Sequence, residues 1–166
     1  MVENKVVFIT GAASGIGYEI SADFAKEGAK IVLTDINEEA VVKAAQSLKD
    51  RGFEAIGLKV DVTNEAELEG AIHQAVETFG SLDVLINNAG MQFVSPIEEF
   101  PTEKFELLVK IMLVAPFVAT KHAFPIMKKQ GKGRIINMAS INGLVGFAGK
   151  AAYNSAKHGV IGLTKV

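Results

Sequence analysis

Lys5-Val-Val-Phe-Ile-Thr-Gly-Ala-Ala-Ser-Gly-Ile-Gly17 decides the fold class of this chain of 166 residues. Its first six residues form a short apolar run rich in β-branched side chains, which is typical of a strand buried on both faces. From Ile16 to Glu27 the composition is helical, and Gly28 ends the helix. A buried strand that passes through a glycine-rich turn into a helix predicts an α/β domain with a parallel sheet.

The alternation of strand and helix continues along the chain. Further strands are predicted at Lys30–Thr34, Glu54–Val60, Asp83–Asn87 and Arg134–Ala139. Further helices are predicted at Asn37–Arg51, Asn64–Phe79, Thr102–Lys129 and Ala151–Val166. Asn64 and Glu67 resemble a capping box, and Pro116 is expected to kink the long helix. The whole of 1–166 is therefore expected to form one domain.

Composition restricts the possible functions. Hydrophobic residues make up 49% and charged residues 22% of the chain, as in ordinary globular proteins. The net charge of −2 gives no reason to expect a nucleic acid or an anionic membrane as partner. With no cysteine, disulfides and thiolate metal sites are excluded, which suits a cytoplasmic protein. No apolar run approaches a membrane span, and the three histidines lack metal-ligand spacing, so neither a membrane nor a metal is expected.

The glycine-rich turn predicts a phosphate-binding loop. Glycine lets the backbone approach a pyrophosphate closely, and the N-terminus of the following helix offers free N–H groups and a positive dipole end. The candidate residues are Gly11, Ser14, Gly15, Ile16 and Gly17. The alternative is a tight turn that needs glycine for its geometry alone.

The ends of the next strands supply the other candidate cofactor contacts. Asp35 ends the second strand, where a carboxylate can bind the two ribose hydroxyls of adenosine and repel a 2′-phosphate. No basic residue adjoins it, which favours NAD over NADP, although Asp35 could instead cap the following helix. Asp61 and Val62 follow the third strand, where an adenine ring would lie. Asn88 and Gly90 follow the fourth strand, where Gly90 leaves room for a nicotinamide ribose.

A constellation of proton-transfer groups follows the fifth strand. Tyr153 and Lys157 are four residues apart on a predicted helix and therefore share one face. A free phenol is protonated at neutral pH, and an ammonium one turn away would stabilise its phenolate form. Ser140, at the carboxyl end of the strand, could hold the same substrate oxygen that Tyr153 protonates. The alternative is an exposed tyrosine and lysine on an ordinary helix.

Taken in order along the chain, these motifs make it resemble the short-chain dehydrogenase/reductase family. The resemblance implies a Rossmann-type doubly wound sheet of strand order 3-2-1-4-5 and hydride transfer between a nicotinamide and a carbinol carbon. It also implies that Tyr153 is the general acid/base, that Lys157 holds the nicotinamide ribose, and that Ser140 orients the substrate oxygen. Family chains continue well past Val166, so the C-terminal strands are expected to be missing from this chain.

Within that family the chain is most similar to bacterial 3-hydroxybutyrate dehydrogenases. The similarity rests on the segments Gly90-Met-Gln-Phe-Val-Ser-Pro-Ile-Glu98, Gly133-Arg-Ile-Ile-Asn-Met-Ala-Ser140 and Gly143-Leu-Val-Gly-Phe-Ala-Gly-Lys-Ala-Ala-Tyr153. It implies oxidation of 3-hydroxybutyrate to acetoacetate with NAD, and a homotetramer. It also implies that Gln92, Asn142 and Lys150, with Ser140 and Tyr153, bind the substrate, although Lys150 could be a solvated loop lysine.

Two departures from the family pattern concern the site. Met112 stands where the family usually has an asparagine that holds a proton-relay water, so the relay is absent or follows another route. Asn142 stands where the subfamily often has histidine, and an amide offers no charge to a carboxylate. The alternatives are therefore another enzyme of the family, such as a 3-oxoacyl thioester reductase or a polyol dehydrogenase, or a non-catalytic nucleotide-binding or oligomerisation module.

Overall fold

The computed structural model describes residues 2–166 and contains five parallel strands in the order β3-β2-β1-β4-β5. This arrangement confirms the predicted doubly wound α/β fold. The strands are β1 (Val6–Thr10), β2 (Lys30–Asp35), β3 (Ala55–Lys59), β4 (Val84–Asn87) and β5 (Arg134–Asn137). The helices are α1 (Gly15–Lys26), α2 (Glu38–Asp50), α3 (Glu65–Phe79), α4 (Thr102–Val109), α5 (Ala115–Gln130) and α6 (Ala151–Thr164).

Both faces of the sheet are covered, which explains why the central strands are apolar without alternation. All five residues of β1 are buried. Val7 and Ile9 pack in the core under α1 and α2, whereas Val6 and Phe8 pack in the core under α3 and α5. Successive side chains of a strand point to opposite faces, so β1 contributes to both cores at once.

An asparagine side chain caps each of two helices, and of these two caps only the one at Asn64 was predicted. Asn37 accepts a hydrogen bond from the N–H of Ala40 through its side chain at 3.0 Å. The Asn64 side chain accepts from the N–H groups of Ala66 and Glu67, and its amide donates to the Glu67 carboxylate at 3.0 Å. These contacts satisfy N–H groups that have no partner inside the helix.

The long helix contains an irregular segment instead of a simple proline kink. Between α4 and α5, Lys110–Val114 forms a wider π-helical segment, and Pro116 follows at the start of α5. Proline has no N–H to donate to the carbonyl four residues earlier, here that of Met112, so the regular hydrogen-bond pattern is interrupted. Such π segments occur often at functional sites, and this one brings Met112 to the candidate site described below.

The continuous helix from Thr102 to Gln130 is long and apolar enough, by length and composition, to cross a membrane. A core helix of a water-soluble domain passes the same test. In this fold α5 packs on α3, and α4 packs on α6, so the helix is part of the domain core. This packing buries 33% of the most apolar window of the helix.

Candidate functional site at the carboxyl edge of the sheet

The glycine-rich turn lies at the carboxyl edge of the sheet, packed closely against its neighbours. A Cβ on Gly17 would lie 2.3 Å from the carbonyl oxygen of Gly11, and one on Gly11 would lie 2.8 Å from the Cα of Ala89. Gly15 has a left-handed backbone (φ 55°) with open space beside it. Ser14 precedes α1 as its N-cap without a side-chain capping bond, and Ile16 is 65% exposed. The turn thus presents an open backbone surface at the start of α1.

A polar clamp joins this turn to the end of β4. The Thr10 hydroxyl accepts hydrogen bonds from the N–H groups of Asn88 and Ala89, both at 3.0 Å. The Asn88 side-chain amide donates to the carbonyls of Thr10 (2.9 Å) and Gly11 (3.0 Å). Sequence reasoning did not identify Thr10, whose hydroxyl is buried at the end of an apolar strand. Its partners lie 78 and 79 residues later in the chain, so no local sequence signal points to it.

Asp35, the last residue of β2, and Asp61, two residues after β3, also accept hydrogen bonds from the backbone. Asp35 accepts from the N–H of Ala13 at 3.2 Å with one carboxylate oxygen and from the N–H of Asn37 at 3.1 Å with the other. It therefore positions the turn and also begins the loop before α2. Asp61 accepts from both the N–H and the hydroxyl of Thr63 at 2.8 Å.

A first cavity of about 350 Å³ collects the candidate adenosine contacts. Gly11, Asp35, Asp61, Val62 and Gly90 line it. The other lining residues are Ile36, Val60, Thr63, Ala89, Met91, Leu107 and Ile111. Its walls are mainly apolar and a carboxylate stands at its side, which suits a flat aromatic ring and a pair of hydroxyl groups.

A second cavity of about 300 Å³ lies next to it and shares Gly90 and Met91. Tyr153, Lys157 and Gln92 line this cavity. Ile16, Asn88, Met112, Met138 and Ala139 complete the lining. The predicted proton-transfer pair and the predicted substrate amide therefore face the same space.

Lys157 is buried, with 6% of its surface exposed. Its ammonium group donates a hydrogen bond to the main-chain carbonyl of Met138 and lies 5.6 Å from the centre of the Tyr153 ring. Burial lowers the pKa of Lys157, because desolvation penalises the charged form. The carbonyl of Met138 is a site feature that side-chain motifs do not reveal.

Met112 is buried beside this pair, with 1% of its surface exposed. A Cβ on Gly90 would lie 3.3 Å from the Met112 sulfur, so the thioether fills the space next to that glycine. A thioether is only a weak hydrogen-bond acceptor, and it cannot hold a water as an amide does.

Ser140, Asn142 and Lys150 lie on the loop between β5 and α6. Ser140 is half-buried and adjoins Ala139, and its hydroxyl accepts from the N–H of Asn142 at 3.2 Å. Asn142 is 5% exposed, and its side chain bonds within the loop and to α6. Lys150 precedes α6, with its ammonium 5.7 Å from the centre of the Phe147 ring. The substrate contacts predicted for these three residues stay predictions.

Within residues 2–166, no group of three or more His, Asp or Glu side chains is placed to hold a metal ion. The one histidine in an ionic cluster is His122, which meets Glu65 at 2.9 Å on the outer side of α3 and α5.

Comparison with known proteins agrees with this geometry. A family model described as short chain dehydrogenase matches residues 5–166. An uncharacterized oxidoreductase of Bacillus subtilis, YxjF, is 59% identical over 165 residues. A D-beta-hydroxybutyrate dehydrogenase of Cupriavidus necator is 40% identical over 166 residues. An NAD+-bound xylitol dehydrogenase structure superposes with a TM-score of 0.95 at 36% identity.

The matches cover nearly all of this chain but a smaller part of each relative. The chain is covered to 99% by YxjF, to 100% by the hydroxybutyrate dehydrogenase and to 99% by the xylitol dehydrogenase. In each case it spans 64% of the length of the other protein.

Proposed function

The chain belongs to the short-chain dehydrogenases, and on that premise we propose that this protein is an NAD-dependent oxidoreductase that acts on 3-hydroxybutyrate. One observation carries the proposal. Tyr153 and Lys157 face a cavity that adjoins, through Gly90 and Met91, the cavity lined by Asp35. This adjacency supports a site in which proton-transfer groups lie beside a bound dinucleotide.

The glycine-rich turn, whose Gly11 lines the first cavity, fits the pyrophosphate of a dinucleotide. The turn at Gly15 and Gly17 presents backbone at the start of α1, where a pyrophosphate would be held by N–H groups and by the helix dipole. The space beside Gly15 is open, whereas that beside Gly17 is filled by the protein itself. Gly15 thus leaves room for a ligand, whereas Gly17 allows other parts of the protein to pack closely against the turn.

Asp35 supports NAD as the cofactor. Each of its carboxylate oxygens accepts one backbone hydrogen bond, and an ionised carboxylate has further lone pairs to accept two ribose hydroxyls. A 2′-phosphate at the same place would meet a fixed negative charge.

The second cavity supports alcohol oxidation. NAD, when bound, accepts the hydride from the carbinol carbon. Tyr153 would take the proton of the substrate hydroxyl at its phenolic oxygen. Lys157 would favour the phenolate through its charge and lies beside the Tyr153 ring. Ser140 would hold the substrate oxygen by a hydrogen bond and so keep it within reach of Tyr153.

The case for an acid substrate rests on Gln92 and Lys150. Gln92 lines the cavity of Tyr153, and an amide N–H is a suitable donor to a carboxylate. Lys150 supplies a positive charge at the start of α6. Its cation–π contact with the Phe147 ring is weak, so the ammonium group would turn toward a bound anion. A similar protein from Cupriavidus necator bears the name of a hydroxybutyrate dehydrogenase, which agrees with this substrate.

A neutral polyol is the second candidate substrate. The xylitol dehydrogenase structure has nearly the same fold over this chain, and Asn142 brings no charge to the site. If Lys150 stays near Phe147, the cavity offers the Tyr153 hydroxyl and the Gln92 amide, which suit a polyol as well as an acid.

We also propose that the protein assembles into a homotetramer in the cytoplasm. Val114, Phe117 and Phe124 are 43%, 52% and 57% exposed along one long helix, and such an apolar surface favours contact with another subunit. Sizing of the natural full-length protein as a monomer would contradict the assembly.

The test is turnover by the natural full-length protein, followed by NADH absorbance. We expect activity with D-3-hydroxybutyrate and NAD and little activity with NADP. We expect none in the variant Tyr153→Phe, which keeps the aromatic ring but lacks the hydroxyl group. Activity with xylitol instead of the hydroxy acid would favour the polyol. NAD binding without turnover of either would favour the non-catalytic module.

A further inference from the structure

We propose that Asn142 and Asn154 form a hydrogen-bonded relay that orients the hydroxyl of Ser140. In this relay Asn142 acts on the reaction through Ser140 and does not contact the substrate. The inference rests on the proposed function, because it assigns positioning residues to that reaction.

The relay is a chain of three side-chain hydrogen bonds. The Asn154 amide on α6 donates to the main-chain carbonyl of Phe147 at 2.8 Å. The Asn142 amide donates to the Asn154 side-chain oxygen at 3.0 Å. The Ser140 hydroxyl donates to the Asn142 side-chain oxygen at 3.5 Å.

The direction of the chain is fixed at one end. A main-chain carbonyl can only accept, so Asn154 must turn its nitrogen toward Phe147 and its oxygen toward Asn142. That oxygen in turn requires the nitrogen of Asn142, which leaves the Asn142 oxygen facing Ser140. The Ser140 hydroxyl is therefore the donor, and its proton points along a defined direction.

The hydroxyl oxygen is held more firmly than its proton. The N–H of Asn142 donates to the Ser140 oxygen at 3.2 Å and fixes the atom in the loop. The proton is directed toward the Asn142 oxygen at 3.5 Å, which is longer than the usual O–H···O range of about 2.5–3.0 Å, so this contact is weak. A substrate oxygen at the usual distance of about 2.7 Å would therefore take the proton at little cost.

Burial keeps the relay in one arrangement. Asn142 is 5% exposed, so water does not compete for its amide, and reversing the amide would leave buried groups without partners. The same burial argues against a contact between Asn142 and a substrate, because both of its amide groups are used inside the protein.

A measurement without substrate tests the relay itself. Hydrogen exchange of the Asn142 side-chain amide, followed by ¹⁵N NMR, is expected to become at least about tenfold faster in Asn154→Ala, because that variant removes the acceptor. Asn137→Ala is the matched control. It breaks another asparagine pair, between Asn87 and Asn137 at 2.8 Å, and should leave the Asn142 exchange rate unchanged. An unchanged rate in Asn154→Ala would overturn the relay.

Kinetics tests whether the relay acts through Ser140. Asn142→Ala is expected to lower kcat about threefold, the effect of one long and therefore weak hydrogen bond, with KM within about twofold. In a Ser140→Ala background the same change should have no further effect, because the group that it orients is gone. A raised KM in Asn142→Ala, or an additive loss in the double variant, would show a substrate contact and overturn the proposal.

The two measurements separate failure of this inference from failure of the proposed function. Absence of turnover with a hydroxy acid by the unaltered protein would contradict the proposed function alone. The amide exchange rate needs no substrate and still decides whether the relay exists. Asn154 is a half-buried position of α6, and alanine has the highest helix propensity, so the decisive variant is expected to fold.

Discussion

The ammonium nitrogen of Lys157 lies 5.6 Å from the centre of the Tyr153 ring, one helical turn further along α6. The lysine is buried and donates to the carbonyl of Met138, which anchors it to the strand side of the loop. A charged group in this position has lost most of its hydration, and one main-chain carbonyl compensates only in part. The fold thus keeps an energetically costly charge beside the Tyr153 ring.

Lys157 is therefore expected to make the free energy of unfolding depend on pH in the alkaline range. Burial lowers the pKa of Lys157 in the folded chain from the ordinary 10.5. At a pH below this lowered pKa, the lysine is charged in both the folded and the unfolded chain, and folding carries the whole cost of desolvating the charge. Between the lowered value and 10.5 the unfolded chain binds more protons, and the free energy of unfolding rises with pH. Urea unfolding of the unaltered chain and of Lys157→Met should show the difference growing in favour of the unaltered chain as the pH rises.

A surface lysine provides the control for this measurement. Lys49 is exposed on α2, and Lys49→Met should follow the unaltered chain across the same pH range. A difference between the unaltered chain and Lys157→Met that does not change with pH would contradict the burial argument.

Gly17 is expected to tolerate no side chain. In Gly17→Ala the new Cβ would lie 2.3 Å from the Gly11 carbonyl oxygen and 2.6 Å from the Asn88 amide nitrogen. The turn must shift, and we expect loss of NADH binding together with about 2 kcal/mol or more of stability, as for other strained packing changes. NADH fluorescence and urea unfolding measure the two effects.

Gly15→Ala is the matched comparison at the same turn. Its left-handed backbone costs an alanine about 1 kcal/mol, but no atom lies within 4 Å of the new Cβ. A loss of stability in Gly15→Ala equal to that in Gly17→Ala would mean that backbone strain, and not crowding, makes the turn require glycine.

Much of the fold could be predicted because its signals are local. The apolar run before Gly11, the acid at the end of the second strand and the spacing of Tyr153 and Lys157 each depend on a few adjacent residues. The strand order followed from the family resemblance and is confirmed by the sheet. Local periodicity could not supply it, since pairing between strands is a long-range property.

The features that were not predicted depend on partners far apart in the chain. The Thr10 hydroxyl meets N–H groups of residues that lie 78 and 79 positions later. Met138 contributes a main-chain carbonyl, which has no sequence signature. The expected kink at Pro116 is a π segment located before the proline, because the helix adjusts upstream of a missing donor. Such contacts follow from tertiary packing and not from residue type.

Asp83 is expected to make the domain sensitive to acid. Burial alone would raise the pKa of this carboxyl, but hydrogen bonds from the N–H of Val6 (3.0 Å) and the hydroxyl of Ser81 (2.8 Å), with the charge of Lys5, lower it below the ordinary 3.8. The stabilisation is complete above pH 3.8 and is lost as the pH falls through the lowered value. In Asp83→Asn, the free energy of unfolding measured in urea should fall less steeply as the pH is lowered from 5. Glu77→Gln, at an exposed helical position, should leave this pH dependence unchanged.

Met112 is expected to be required for packing in this chain. Its sulfur fills the space beside Gly90, within the small core formed with Leu108, Ala152 and Ala156. Met112→Asn restores the residue type usual in the family, but it brings an amide into a site shaped for a thioether. We expect it to lower the free energy of unfolding by about 1–3 kcal/mol, the cost of a buried polar group with incomplete partners. Met112→Leu keeps the volume and should cost less than about 1.5 kcal/mol in the same urea titration. If Met112→Asn is instead as stable as the unaltered chain, the groups around position 112 can already hydrogen-bond an amide. The surroundings of Lys157 would then be more hydrated than its burial indicates.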